Sequence, residues 1–387
     1  MINMKLTAQV QLLPTTDQAS LIIKTITIFN TICNYVSKLA FDNKCFHPIA
    51  LHNLKTDYFD NSLYYHLRQQ YPEMSSIHIE LILRKVADAY RIRRVNKRKI
   101  KKPCVFKNNS AIIYNHLTLS VKYLFHSPAN VGLISLRAIN SRELIHFIFG
   151  EHQSQLIKNS SKIGEMKLIY RNKRFYLNIS TDQKEADITT PISHIGVDLG
   201  VSNIATTSYG KIWSGAVIDN KREKFQKHRS SLQKCGTPSA KRRLKKVAGK
   251  EALFRKDINH CISKELVAVA KGTNSGIVLE DLKYIRERIT VRKQQRARHH
   301  GWSFAQLREF ISYKAFMEGV EVKLVDPHYT SQRCSNCGHI ERKNRKSQYR
   351  FLCLKCGHDA HADYNAACNL ASMGNYHSSF IKAEVMV

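Results

Sequence analysis

Four cysteines constrain this chain more than any other feature. Cys334 and Cys337 form one Cys-x-x-Cys pair, Cys353 and Cys356 a second, with 15 residues between the pairs and a glycine after each. Two such turns supply the four thiolates that zinc prefers in a tetrahedron. Gly338 and Gly357 let the backbone take positive φ and aim amides at the sulfurs. Two knuckles at this spacing argue against a redox dithiol. Four thiolates leave no open coordination position, so the expected Zn²⁺ is structural. His339 and His358 read as bystanders. The other six of the ten cysteines are scattered. A disulfide scaffold is shorter and denser in cysteine, so a reducing, cytoplasmic setting is expected.

Charge narrows the partner. The 387 residues carry 62 Lys+Arg against 30 Asp+Glu, a net charge of +32. Solubility needs far less, and self-repulsion of this size is tolerable when a polyanion neutralises it. Nucleic acid is the expected partner, through phosphate contacts and counterion release. A membrane is not expected. The charge is spread along the chain, and the apolar stretch from Leu21 to Phe29 is broken by Lys24.

The N-terminal half reads as a small sheet with helices inserted. Leu6, Ala8, Val10 and Leu12 alternate with polar residues, a half-buried strand that Pro14 ends. Thr16 or Asp17 can cap a helix with an Ile22, Ile26, Phe29, Ile32, Val36, Leu39 stripe. A second helix over 77–95 runs into a basic stretch, and the segment MKLIYRNKRFYLNIS reads as two strands around Arg171-Asn172-Lys173. Near Pro191 the pattern changes. HIGVDLG, GIVLEDL and VEVKLVD are short apolar strands. Between the first two lies a basic helical stretch, 221–249, continuing over 251–271 with Phe254, Ile258, Leu266 and Val269 on one face. Helices are expected over 303–318 and 361–373.

Three acids stand out by context. Asp198 lies in an apolar strand, where a carboxylate is costly unless it binds something. Glu280 ends a second apolar strand, and Asp363 opens a helix of small residues. They are separated by 82 and 83 residues, so only the fold can unite them. United, they could hold a pair of Mg²⁺ ions, since hard cations take oxygen ligands and two such ions clamp a phosphodiester. Each also has a bland role, Asp198 as a turn residue and Asp363 as a helix cap. Asp281 and Asp359 compete with their neighbours, and pattern does not separate them.

The segments IGVDLGVSNIATTS, IVLEDLK, YTSQRCSNCGH and FLCLKCGHDAHADYNAACNLA, in that order, resemble the TnpB proteins encoded by insertion sequences, relatives of the miniature type V CRISPR nucleases. The match is close over about 191–374 and looser before it. The resemblance implies a mixed α/β chain. A small β-barrel-like domain with a helical insertion (1–190) would precede an RNase H-like RuvC nuclease domain (191–329 and 359–374). A zinc ribbon (330–358) would be inserted in the latter, and a short tail (375–387) would follow. It implies Asp198, Glu280 and Asp363 as the acids holding two catalytic Mg²⁺, choosing Glu280 over Asp281 and Asp363 over Asp359. His361 stands where the family commonly has Asp. The implied activity is cleavage of double-stranded DNA directed by a guide RNA, next to a short motif read by the protein.

The cationic runs fit a channel for a heteroduplex backbone. The first is Arg91, Arg93, Arg94, Lys97, Arg98 and Lys99. The second is Lys241, Arg242, Arg243, Lys245 and Lys246, and the third Arg286, Arg288, Arg292, Lys293, Arg296 and Arg298. Tyr284 and Trp302 are aromatic candidates for base stacking, with core packing the plainer role for Trp302. Rival readings are a guided repressor that no longer cuts, which should have lost one of the acids, and a transposase that joins DNA ends itself. A zinc-ribbon RNA-binding protein would leave the acids in apolar strands unexplained.

Overall fold

A computed structural model describes residues 3–57, 59, 61–96, 100–122, 130–200, 202–281 and 304–376. The chain divides into two compact units after Lys184.

The first unit opens with β1 (Asn3–Leu13), whose even-numbered residues Ala8, Val10 and Leu12 are buried. Helix α1 (Thr16–Asp42) follows. Its cap is Thr15, one residue before the expected Thr16 or Asp17. The Thr15 hydroxyl accepts from the Gln18 N–H and the Gln18 side chain accepts from the Thr15 N–H, a reciprocal pair unavailable to either neighbour. The helix is long and apolar enough to meet a composition test for a membrane span. Its stripe from Ile22 to Val36 is nevertheless buried within this unit, and Ala40 takes the buried place expected of Leu39. Helices α2 (Pro48–His52), α3 (Leu63–Gln70) and α4 (Ser76–Val95) complete the insertion. Then come β2 (Ile112–Tyr114), β3 (Leu119–Lys122), β4 (Val131–Arg137), β5 (Arg142–Ile148), α5 (Glu151–Lys158), β6 (Ser160–Arg171) and β7 (Arg174–Lys184). The seven strands pair antiparallel in the order β2-β6-β7-β1-β5-β4-β3, a nearly closed barrel. Asn172 and Lys173 take φ of 54° and 60°, the primed-turn geometry that joins β6 to β7.

The second unit is a five-stranded mixed sheet in the order β10-β9-β8-β11-β12. Its members are β8 (Ser193–Asp198), β9 (Asn203–Thr207), β10 (Ile212–Ser214), β11 (Ser275–Glu280) and β12 (Val322–Val325). Strands β8, β11 and β12 are parallel neighbours. Helices α6 (Ala216–Cys235) and α7 (Pro238–Gly272) lie between β10 and β11, and α8 (Phe304–Glu318) precedes β12. The basic helical stretch is broken earlier than its periodicity suggests: Gly236 takes φ +64° and Thr237 caps α7 with Pro238 behind it. Two short strands, β13 (Arg350–Leu352) and β14 (Asp359–His361), form a separate hairpin, and α9 (Ala362–Tyr376) is the last helix described.

Both faces of the sheet are covered, as parallel strands require. Ile195, Val197, Ile277 and Leu279 face one way, into a core with Ile262 and Leu266 of α7 and Leu307 and Ile311 of α8. The alternate residues Gly196 and Val278 face α9, where Val278 packs with Leu370 and Val325. A Cβ at Gly196 would lie 1.9 Å from the Ala367 carbonyl oxygen and 2.4 Å from the Ala371 nitrogen. Only glycine admits a helix this close. Gly374, one helical face further on, is pressed against Val278 and His194. Helix α9 therefore runs antiparallel to β8 and brings its N-terminal end to the C-terminal ends of β8 and β11.

Candidate metal centres and the acidic site

The four thiols converge. Their ligand atoms all lie within 4.8 Å of one another, Cys334 and Cys356 at 3.7 Å and Cys337 and Cys353 at 3.6 Å. Tetrahedral zinc with bonds of about 2.3 Å separates its sulfurs by about 3.8 Å, so the donor set fits that ion. The two knuckles are built alike. Gly338 and Gly357 take φ of 74° and 70°, and their N–H groups donate to the carbonyls of Cys334 and Cys353. The Cys334 and Cys353 N–H groups donate to the carbonyls of His339 and His358. Buried Asn344 ties the pairs together, donating to the Gln332 and His339 carbonyls and accepting from the Leu354 N–H. Phe351, Cys334, Cys353 and Ala362 form the small core. Burial pushes the Cys334 thiol up and backbone N–H groups of the second knuckle draw Cys353 down, so loading a cation displaces protons shared by the cluster.

Asp198 and Glu280 stand at the ends of adjacent parallel strands. Val197 pairs with Leu279, which makes the two acids lateral neighbours on the face under α9. Asp363 lies in the first turn of α9, and its N–H donates to Nδ1 of His361 at 3.2 Å. Burial pushes the Asp198 carboxyl up to about 8, helped by the charges of Glu280 and Asp363 and opposed by Arg345 and the Leu199 N–H. Burial also raises Glu280, opposed by Thr330 and Arg345. Asp198 thus senses the charges of Glu280 and Asp363, although the carboxylate oxygens are not drawn together as tightly as the sulfurs. Mutually repelling, partly desolvated carboxylates suit hard divalent cations.

Asp281 turns away to Arg308 at 3.1 Å, and Asp359 is held by Arg350 at 2.7 Å on the ribbon surface.

Several further residues hold this site, Asn365 of the Asp-x-Asn-Ala-Ala run among them. Arg345, from the ribbon, lies 3.5 Å from Asp363 Oδ1. Asn203 donates to Asp363 Oδ2 at 2.9 Å, and Thr330 donates to Glu280 Oε1 at 2.6 Å. Asn365 accepts from the Ser335 N–H and donates to the Arg333 carbonyl, while Asn369 donates to the carbonyls of Thr330 and Arg333. These asparagines bolt the first knuckle to α9. The thiol cluster and the acids are parts of one construction.

The cationic candidates divide. Lys241, Arg242, Arg243, Lys245 and Lys246 are all exposed along the start of α7. Arg91, Arg93 and Arg94 end α4, where Arg91 pairs with Asp88, Arg93 donates to the Lys102 carbonyl and Arg94 lies over Phe46. Lys97, Arg98 and Lys99 lie outside the described residues, as do Tyr284, Trp302 and the run Arg286, Arg288, Arg292, Lys293, Arg296 and Arg298.

Comparison with known proteins adds independent findings. A family model described as OrfB_IS605, probable transposase, matches residues 178–286, and one described as the Cas12f1-like TNB domain matches 304–370. The CRISPR-associated endodeoxyribonuclease Cas12f1 of Sulfoacidibacillus thermotolerans is 30% identical over 296 residues, which cover 71% of this chain and 69% of that protein. The TnpB-like protein MJ0751 of Methanocaldococcus jannaschii is 31% identical over 231 residues, 58% of this chain and 80% of its own. Among solved structures, the mini-RNA-guided endonuclease CRISPR-Cas phi3 aligns with a TM-score of 0.59 at 10% identity, covering 96% of this chain and 92% of that one, a likeness of fold.

Proposed function

The chain belongs to the TnpB family, and on that premise we propose that it is an RNA-guided DNA endonuclease of a transposable element. The observation that carries the reading is that Asp198 and Glu280 end adjacent parallel strands, and that burial and the charges of Glu280 and Asp363 together raise Asp198. In this reading the second unit is a RuvC-like, RNase H-type nuclease domain carrying a zinc ribbon. Asp198, Glu280 and Asp363 would hold two Mg²⁺, and Cys334, Cys337, Cys353 and Cys356 one structural Zn²⁺. A bound magnesium pair supplies Lewis-acid stabilisation to the attacking and leaving oxygens of a phosphodiester.

The chain's own residues do the rest. Asn203 and Arg345 meet the two oxygens of Asp363, and Thr330 holds one oxygen of Glu280, so both carboxylates are fixed in direction. Arg345 brings a permanent cation to the acids, 3.5 Å from Asp363 Oδ1, and its guanidinium could pair with a phosphate oxygen. The exposed cations of α7 offer sequence-independent phosphate contacts. Base pairing would supply the sequence reading that such contacts lack.

The test begins with the RNA that travels with the purified chain. A discrete species spanning the end of its own coding region is expected, whereas random cellular RNA indicates generic polyanion binding. With that RNA and Mg²⁺, the native chain should cut matching duplex DNA. Asp198→Ala should lose cutting by about a thousandfold or more while retaining RNA and DNA binding. Retained cutting by Asp198→Ala defeats the assignment.

A further inference from the structure

Tyr329 is held in a conformation that a bulky side chain avoids, with φ at +63°. The other described non-glycine residues with positive φ are four asparagines and two lysines, so Tyr329 is the one aromatic among them. Both flanks of the residue are tied. Thr330 donates to Glu280 and to the Pro327 carbonyl, and its own carbonyl accepts from Asn369. On the other side Asp326 accepts from the His328 N–H and pairs with its ring. The Tyr329 carbonyl accepts from the Gln332 and Arg333 N–H groups, which starts the turn into the first knuckle. The backbone cannot relax without disturbing the contact to Glu280.

Core packing does not account for the ring. Tyr329 is 56% exposed, and its hydroxyl has no hydrogen-bond partner among the described residues. Its recorded ring neighbour is His328, tilted at 6.2 Å. Asparagine or glycine would suit this backbone better. A strained, solvent-facing ring one residue from a hydroxyl that touches the acidic site has the form of strain kept for binding.

We propose that Tyr329 is a stacking platform for an unpaired nucleobase beside the scissile phosphate of the DNA strand. Every base offers a π-face, so the contact positions the strand without demanding a sequence, as a guided enzyme requires. Tyr329 is a positioning residue, and the proposal rests on the nuclease reading above.

The test uses the full chain with its co-purified RNA and three forms: native, Tyr329→Phe and Tyr329→Asn. The probe is a single-stranded oligodeoxynucleotide carrying 2-aminopurine, in Ca²⁺ so that it remains uncut. Native and Tyr329→Phe should quench the fluorophore alike, and Tyr329→Asn should not. In Mg²⁺, Tyr329→Asn should raise KM for DNA about tenfold, the weight of one stacked base, with kcat unchanged. Its melting temperature should rise by a few degrees as the strain is released. Equal quenching by native and Tyr329→Asn, no quenching by the native chain, or a fall in melting temperature with unchanged KM overturns the proposal. Stronger quenching of an RNA oligomer of the same sequence overturns the assignment to the DNA strand. The nuclease reading fails separately: a native chain that quenches through Tyr329 but cuts nothing in Mg²⁺ keeps the platform and loses the hydrolysis.

Discussion

The thiol cluster and the acidic cluster are both groups of ligands on one unit, yet they are built on opposite plans. The sulfurs come from two near-identical turns close in sequence, each closed by its own N–H to carbonyl bonds, and Asn344 locks the pairs together. The acids come from two strands and a helix, and the sheet itself sets their register. One cluster is saturated by its own four donors. The other sets acids beside one another, so that the charges of Glu280 and Asp363 act against that of Asp198. Ligands for one closed site can come from local turns, whereas side chains from distant segments need a rigid frame to set them.

Removing the metal from the thiols tests the first half of that contrast and has the largest expected effect. Structural zinc sites of this type contribute on the order of 10 kcal/mol to folding, and the ribbon's core is only four buried residues. Cys353→Ser, or a strong chelator, should free residues 330–358 to proteolysis. Cleavage should be lost with it, because Thr330, Arg345 and the clamp on Asn365 all belong to that segment. Zinc analysis should give one ion per native chain. A Cys353→Ser chain that keeps both zinc and activity breaks the comparison.

The acids should behave in the reverse way, since here the ligand set costs stability without metal. Burial, with the charges of Glu280 and Asp363, pushes the Asp198 carboxyl from 3.8 up to about 8. Between those values the folded state keeps a proton that the unfolded chain has lost, so stability falls as pH rises from about 4 to about 8. Asp198→Asn should flatten that slope and make the metal-free protein more stable at pH 8, while abolishing cleavage. Denaturant melts at several pH values in a chelator with low zinc affinity read this out; an unchanged slope in Asp198→Asn contradicts the buried, raised Asp198 carboxyl.

The frame is tested at Gly196. A methyl there meets backbone, not a movable side chain, and should cost about 2 kcal/mol or more. It should also shift Asp363 and lower cleavage. Gly249 in α7 faces open space, and Gly249→Ala there should gain up to about 1 kcal/mol without affecting cleavage. Equal melting temperatures for the two variants contradict the close helix–sheet approach.

The smallest expected effect sharpens the contrast within the acids. Thr330→Val removes the hydroxyl that holds Glu280 low, so burial should raise that carboxyl further and move the acidic limb of the pH–rate profile upward. Cleavage near neutrality should fall by about tenfold, the weight of one hydrogen bond to a charged group.

Local features were legible in advance to the extent that their causes are local. The Cys-x-x-Cys-Gly turns, the β6–β7 turn at Asn172 and Lys173 and the alternation of β1 are short-range patterns, and the structure has them. Boundaries that depend on competition between neighbours were read less well. Thr15 rather than Thr16 caps α1, because only it lies three residues before Gln18. The long basic helix breaks at Gly236, where a single left-handed residue outweighs a continuous periodicity. Gly196 lies in an apolar strand, and only the approach of α9 gives the reason that it is glycine.

The sequence by itself determined the chemistry available: four thiolates at a metal spacing, acids in strands too apolar to hold them idle, and a charge of +32 that calls for a polyanion. Only the tertiary structure decided which acids stand together and what orients them. Asn203, Thr330, Arg345 and Asn365 reach their partners over separations of 160, 50, 18 and 30 residues. No periodicity spans such distances. They are set when parallel strands fall into register and a glycine lets a helix close on them.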